Sequence, residues 1–174
     1  MGQFREELLQ TIRASHQYGT FKLSSETEAS EYFDLFPALL TPGGLRIAVH
    51  EIQTSCKGIH FGVVGCMEMC PVSLIGALLS ASFMEPPLRG IVVRKCRKGH
   101  GTDNLIEGAL TNLDEVLLIE DVTSTGQSVL QAARAIEERG ASVVGIVTIL
   151  NRHEGCDELL RPYDFRWMVS MKEL

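Results

Sequence analysis

The chain has 174 residues, 45% of them apolar and 22% charged, which suits one globular domain with a buried core and excludes a low-complexity chain. Its net charge of −6 argues against a general nucleic-acid binder, and no apolar run approaches the roughly 18 residues that span a bilayer. The five cysteines form no CxxC pair, and "MGQFREELLQ" carries charges where a signal peptide is apolar, so a cytoplasmic protein without a zinc site is expected.

Phe4, Leu8, Leu9 and Ile12 recur at near-helical spacing and predict a first helix over 3–17. Residues 18–35 mix aromatics with hydroxyls and read as loops and short strands. After "TPGG", the spacing of Leu45, Ala48, Val49 and Ile52 predicts a second helix. "HFGVVGC" (60–66) is a buried strand, and Pro71 opens the helical "PVSLIGALLSASF". Cys66 and Cys70 stand four apart; a metal or redox pair is one reading, buried small residues the other. "GIVVR" (90–94) is a further strand, followed by a polar loop over roughly 95–112. "EVLLI" is a strand, 127–139 a helix ended by Gly140, and 142–150 a strand. Tyr163, Phe165, Trp167 and Val169 alternate, which predicts a last strand with that face buried.

Strands separated by helices of about a dozen residues imply an α/β fold, a mostly parallel central sheet flanked by helices. One domain over 1–174 is expected, with a core over 41–174 and about 1–40 forming a helix and a small cap.

In "VLLIEDVTSTGQSV" (116–129), a buried strand runs into two acids, Glu120 and Asp121, and then into Thr123, Ser124, Thr125, Gly126, Gln127 and Ser128 before a helix. Open α/β sheets bind ligands beyond the carboxyl ends of their strands. Hydroxyls, unpaired backbone N–H groups and a helix dipole there make an anion site, although no GxxxxGK[ST] is present. The acids call for a neighbour that donates hydrogen bonds or carries positive charge. A 5-phosphorylated sugar with free hydroxyls meets both demands; the alternative is that the acids merely cap the turn.

This stretch resembles the phosphoribosyl-pyrophosphate (PRPP) motif of type I phosphoribosyltransferases. The resemblance implies that fold, with the first forty residues forming a hood. It also implies that Glu120 and Asp121 hold the ribose hydroxyls and 123–128 the 5-phosphate. Mg²⁺ would arrive through PRPP, with Glu120 and Asp121 as candidate ligands.

"VVRKCRKGHGTDNLIEG" (92–108) places Arg94, Lys95, Arg97, Lys98 and His100 within seven positions, a cationic segment that would neutralise a departing pyrophosphate. It is similar to the catalytic loop of the orotate phosphoribosyltransferases, which commonly reaches into a neighbouring subunit and implies a homodimer. By position, Arg94, Lys95, Lys98 and His100 would contact pyrophosphate, whereas Arg97 lies outside the matched set. Lys98, His100 and Asp121 become the candidate catalytic residues. "GTFKLSSETEASEYFDL" resembles the hood of that family and "NRHEG" (151–155) its D-R-x-E-G, implying base contacts by Phe21, Ser24, Thr125 and Arg152. The expected reaction joins PRPP and orotate to give orotidine 5′-monophosphate and pyrophosphate.

Three departures qualify the match. Glu26 and Glu28 stand where the family has glycine and cations. At an effective dielectric of about 20, like charges about 4 Å apart cost roughly 4 kcal/mol, so either acid facing an orotate carboxylate would repel it. Met69 and Cys70 replace small residues of a glycine-rich loop, and Cys96 replaces a common Glu. The altered hood leaves open a paralogue acting on another nucleobase, and the altered 65–71 loop a non-catalytic PRPP-binding regulator.

Overall fold

A computed structural model of the protein describes residues 2–22, 28–82, 87–96 and 104–174. Helix α1 (Gln3–Ala14) buries Leu8, Leu9 and Ile12 against the main core. Strands β1 (His16–Lys22) and β2 (Glu28–Phe33) form an antiparallel pair that is a sheet of its own. A short α2 (Phe36–Leu39) leads to α3 (Pro42–Ser55). The start of α3 is written in the sequence. The Thr41 side chain accepts from the Gly44 N–H at 3.1 Å, and Pro42 fills the first turn, where no N–H partner is needed.

The central sheet is built from β3 (Val63–Met67), β4 (Arg89–Val93), β5 (Ile106–Glu107), β6 (Glu115–Thr123), β7 (Ser142–Asn151) and β8 (Phe165–Ser170). Their spatial order is β5-β4-β3-β6-β7-β8, parallel except that β5 runs against β4. Helix α4 (Val72–Ala81) joins β3 to β4, α5 (Gln127–Glu137) joins β6 to β7, and a short α6 (Cys156–Leu159) precedes β8. Helices α1, α3 and α4 share one core with the sheet face carrying Val64, Cys66, Leu117, Ile119, Val147 and Ile149. Helix α5 packs on the other face, against Val63, Val116, Leu118 and Ile146. Burial on both faces is why β3 and β6 read as unbroken apolar runs, as parallel strands do.

Two expectations change. The 95–112 stretch, read as loop, contains β5; two residues are too few to leave a periodic signal. The last strand buries the face that its alternation suggests only in part: Val169 is buried and Tyr163 and Phe165 are half-buried. Trp167 is 42% exposed, while Met168, on the opposite face, is buried. Strand β8 is the edge of the sheet, α3 packs on it, and Arg5 of α1 donates to the Met168 carbonyl oxygen. Coverage by helices, not sequence alternation, decides which face of an edge strand is dry.

Candidate active site

The chain leaves β3 toward β4 on one side of the sheet, whereas β6 and β7 lie on the other. The carboxyl ends of β3 and β6 therefore flank a topological switch point, the place where open α/β sheets hold ligands. A cavity of about 1010 Å³ opens there. It is lined by the loop after β3, the end and following loop of β6, Arg152 beyond β7, and Phe21, Tyr32 and Phe33 of the β1–β2 pair.

Glu120, Asp121, Thr123, Ser124, Thr125, Gly126, Gln127 and Ser128 all line this cavity, as do Lys95, Phe21 and Arg152. Arg94 is not among the lining residues. Its Nε donates to Glu107 Oε1 at 2.9 Å, and a second nitrogen lies 3.8 Å from Glu68. Ser24, Lys98 and His100 lie outside the described residues, as does Glu26. Glu28 is exposed.

Strand β6 runs on through both acids to Thr123, further than the apolar run alone suggests, and Glu120, within its last stretch of pairing, is nearly dry. Burial, and then the neighbouring Asp121 carboxylate, push its carboxyl well above the usual range, with Lys95 pulling modestly the other way. Asp121 meets the Cys70 thiol, whose pKa is pushed up by burial, then by the charge of that carboxylate and the hydrogen bond to it. Cys66, one strand over, is pushed up to about 12 by burial and the two acids. These cysteines are therefore protonated thiols at neutral pH, not nucleophiles. Tyr32, exposed at the mouth, has its phenol raised by partial burial and by Asp34 and Asp121.

The loop after β6 starts α5 on Gly126, whose φ of 81° lies in the left-handed region that glycine enters freely. A Cβ there would stand 3.1 Å from Cys156 Cβ, so the turn is closed tightly against α6. The first amides of α5 consequently have no side-chain cap and face the cavity rim with Gln127 and Ser128. Among the described residues Thr123 Oγ1 is buried with no hydrogen-bond partner, and Arg152 Nε is in the same state. Native interiors seldom leave such groups unsatisfied unless a ligand completes them. The hard oxygen donors of Glu120 and Asp121 also fit Mg²⁺, which takes one or two carboxylates and otherwise keeps water or phosphate oxygens.

Several contributors carry little sequence signal. Glu31 Oε1 accepts from Arg152 at 3.1 Å and Glu31 Oε2 lies 2.8 Å from His16 Nε2, yet the two acceptor and donor positions are far apart in the chain. Glu68 Oε1 accepts the Lys95 backbone N–H at 2.9 Å, and Gln131 donates to the Lys95 carbonyl at 3.3 Å. Met69, flagged as bulky, lines the cavity from its rim, 70% exposed, and the Glu68–Met69 peptide is cis.

A switch-point cavity with two strand-end acids and a hydroxyl-rich helix start describes a transferase of phosphorylated sugars. Residues 79–166 match the phosphoribosyl transferase domain, and the chain belongs to the phosphoribosyltransferase family. Its relatives include an orotate phosphoribosyltransferase of Pyrococcus furiosus, 37% identical over 93% of this chain and 89% of that one. An orotate phosphoribosyltransferase of Mycobacterium tuberculosis H37Rv, solved with Fe(III) dicitrate, superposes with a TM-score of 0.82 at 30% identity, covering 98% of each chain. The Mycobacterium tuberculosis enzyme solved with PRPP gives a TM-score of 0.79 at 27% identity, again over 98% of each.

Proposed function

We propose that this protein is an orotate phosphoribosyltransferase: it moves the phosphoribosyl group of PRPP onto orotate, giving orotidine 5′-monophosphate and pyrophosphate. The observation that carries this reading is one cavity shared by the Glu120–Asp121 pair, the unpartnered Thr123 hydroxyl and the glycine-started N-terminus of α5. Its relatives of that name support the choice of base.

The 5-phosphate would sit on the 123–128 loop, whose amides and hydroxyls donate to it. Glu120 and Asp121 would accept from the ribose hydroxyls. As the C1–oxygen bond of PRPP breaks, positive charge grows at C1 and negative charge on the leaving pyrophosphate. Asp121, beside the sugar, stabilises the former; Lys95, Lys98 and His100 neutralise the latter, and Arg94 would join them on leaving its pair with Glu107. Phe21, Ser24, Thr125 and Arg152 would hold the base so that its nitrogen meets C1 from the opposite face. Bound Mg²⁺ supplies Lewis-acid neutralisation of the diphosphate. Catalysis on this account is positioning and electrostatics.

A homodimer whose basic loops cross between subunits, acting in the cytoplasm, completes the proposal; five free cysteines suit that reducing compartment. Among the described residues no helix is long and apolar enough to cross a membrane.

A paralogue taking another base is the second reading, motivated by the acids Glu26 and Glu28 in the hood segment. Incubation with PRPP, Mg²⁺ and a panel of nucleobases separates the two. Orotate consumption above about 1 per second supports the first, and turnover of another base alone supports the second.

A further inference from the structure

Arg152 is a cation with a side chain only 9% exposed, and it lines the cavity. A guanidinium grips a carboxylate as a two-toothed fork, along its Nε–Nη2 edge or its Nη1–Nη2 edge. Both edges need Nη2. In this protein Nη2 meets two carboxylates at once, Glu31 Oε1 at 3.1 Å and Glu154 Oε1 at 2.7 Å, while the buried Nε has no partner among the described residues. Only the Glu31 contact is a hydrogen bond and the Glu154 contact is an ion pair, but two carboxylates crowd the one nitrogen that both edges share, and neither edge can fork a third until one acid leaves.

The two acids are not equivalent. Glu31 is braced: its other oxygen lies 2.8 Å from His16, and the His16 ring stacks on Phe33 at 4.1 Å. The same Phe33 ring carries the Arg152 guanidinium at 5.8 Å. Among the described residues Glu154 has no second anchor of this kind, its side chain is 42% exposed, and it lines the cavity. It can swing into water at little cost, whereas Glu31 cannot.

We propose that Glu154 is an internal stand-in for the carboxylate of the base, exchanged for it at Arg152, and that Glu31, braced by His16, is the positioning residue that keeps Arg152 aimed during the exchange. The inference rests on the reading of orotate, a carboxylate-bearing base, as substrate. Arg152 faces two carboxylates before and after the exchange, and a base carboxylate that displaces Glu154 keeps that number while also completing the Nε edge. A base without a carboxylate gains nothing from the exchange, which makes Glu154 a specificity-determining residue.

The test is calorimetric titration of orotate and of uracil into the wild type, Glu154→Gln and Glu31→Gln, alongside steady-state kinetics with PRPP and Mg²⁺. Removing the competitor in Glu154→Gln tightens orotate about fivefold, the scale of one exposed ion pair, and leaves uracil unchanged. Glu31→Gln weakens orotate about tenfold, the scale of one hydrogen bond to a charged group. Neither variant shifts KM for PRPP, a split that a general loss of structure would not give. A tightening cannot arise from misfolding, so Glu154→Gln decides the matter even if Glu31→Gln melts early. Orotate bound no more tightly by Glu154→Gln, or uracil gaining equally, overturns the inference while wild-type turnover of orotate stands. Wild type that binds orotate without turning it over sinks the proposed function alone, since the affinities still judge the exchange. Wild type that does not bind orotate overturns both.

Discussion

The backbone N–H of Lys95 donates to Glu68 Oε1 at 2.9 Å, so the segment that opens the basic loop is tied to the loop after β3. The second oxygen of Glu68 lies 3.8 Å from Arg94. One carboxylate therefore links two cavity walls, and its removal should loosen the cationic segment without disturbing the core. Glu68→Ala is expected to raise KM for PRPP about tenfold through lost positioning. Its cost in stability should stay within about 1 kcal/mol, because both ion-pair partners are partly solvated. Steady-state kinetics beside thermal unfolding measure the two effects, and an unaltered KM would count against this link.

Glu120 yields a pH signature. Its carboxyl is raised above the ordinary 4.5 by burial and by Asp121, so the folded ligand-free protein binds a proton more tightly than the unfolded chain does. A raised carboxyl contributes stability fully below the unfolded value, and that contribution is lost as pH climbs through the folded one. Denaturant titrations should show stability falling as pH rises from about 4.5, by at most roughly 1.4 kcal/mol per pH unit for this proton. Glu120→Gln should flatten that slope. An identical pH dependence in the variant would place the raised group elsewhere.

Thr123 offers a separation of stability from binding. Its buried hydroxyl has no partner among the described residues, so Thr123→Val, nearly the same shape, deletes an unsatisfied group. Stability should hold or improve by about 1 kcal/mol, while PRPP affinity drops about tenfold as one ligand contact is lost. If melting falls instead, the hydroxyl has a structural bond in solution and the ligand role fails.

Gly126 is the strictest position in the loop. A φ of 81° and a would-be Cβ only 3.1 Å from Cys156 Cβ both oppose any side chain. Gly126→Ala should cost about 2 kcal/mol and lower the melting temperature by several degrees. It should also raise KM for PRPP, because the α5 amides shift with the turn. A variant with wild-type melting and KM would show that the turn tolerates a Cβ.

Much of the candidate site was legible in sequence because strand, acid pair, hydroxyl loop and helix are contiguous over 116–129, and local chemistry suffices to read them. Arg94 was legible as a cation but not as a partner of Glu107, since that pairing depends on β5 folding back on β4. The Glu31–Arg152 contact spans 121 positions and needs both the β1–β2 pair and the end of β7, so no periodicity announces it. The same limit explains Trp167. Alternation marks two faces, but only the placement of helices on them tells which one meets water.

The central claim is that the end of β6 grips a phosphorylated sugar through its paired acids. Calorimetric titration of PRPP with Mg²⁺ into the wild type and a Glu120→Gln/Asp121→Asn double variant tests it most directly. The account predicts one site per chain and a loss of about a hundredfold in the variant, two charge-assisted contacts being worth roughly 3 kcal/mol together. Equal affinity in the two proteins would contradict it.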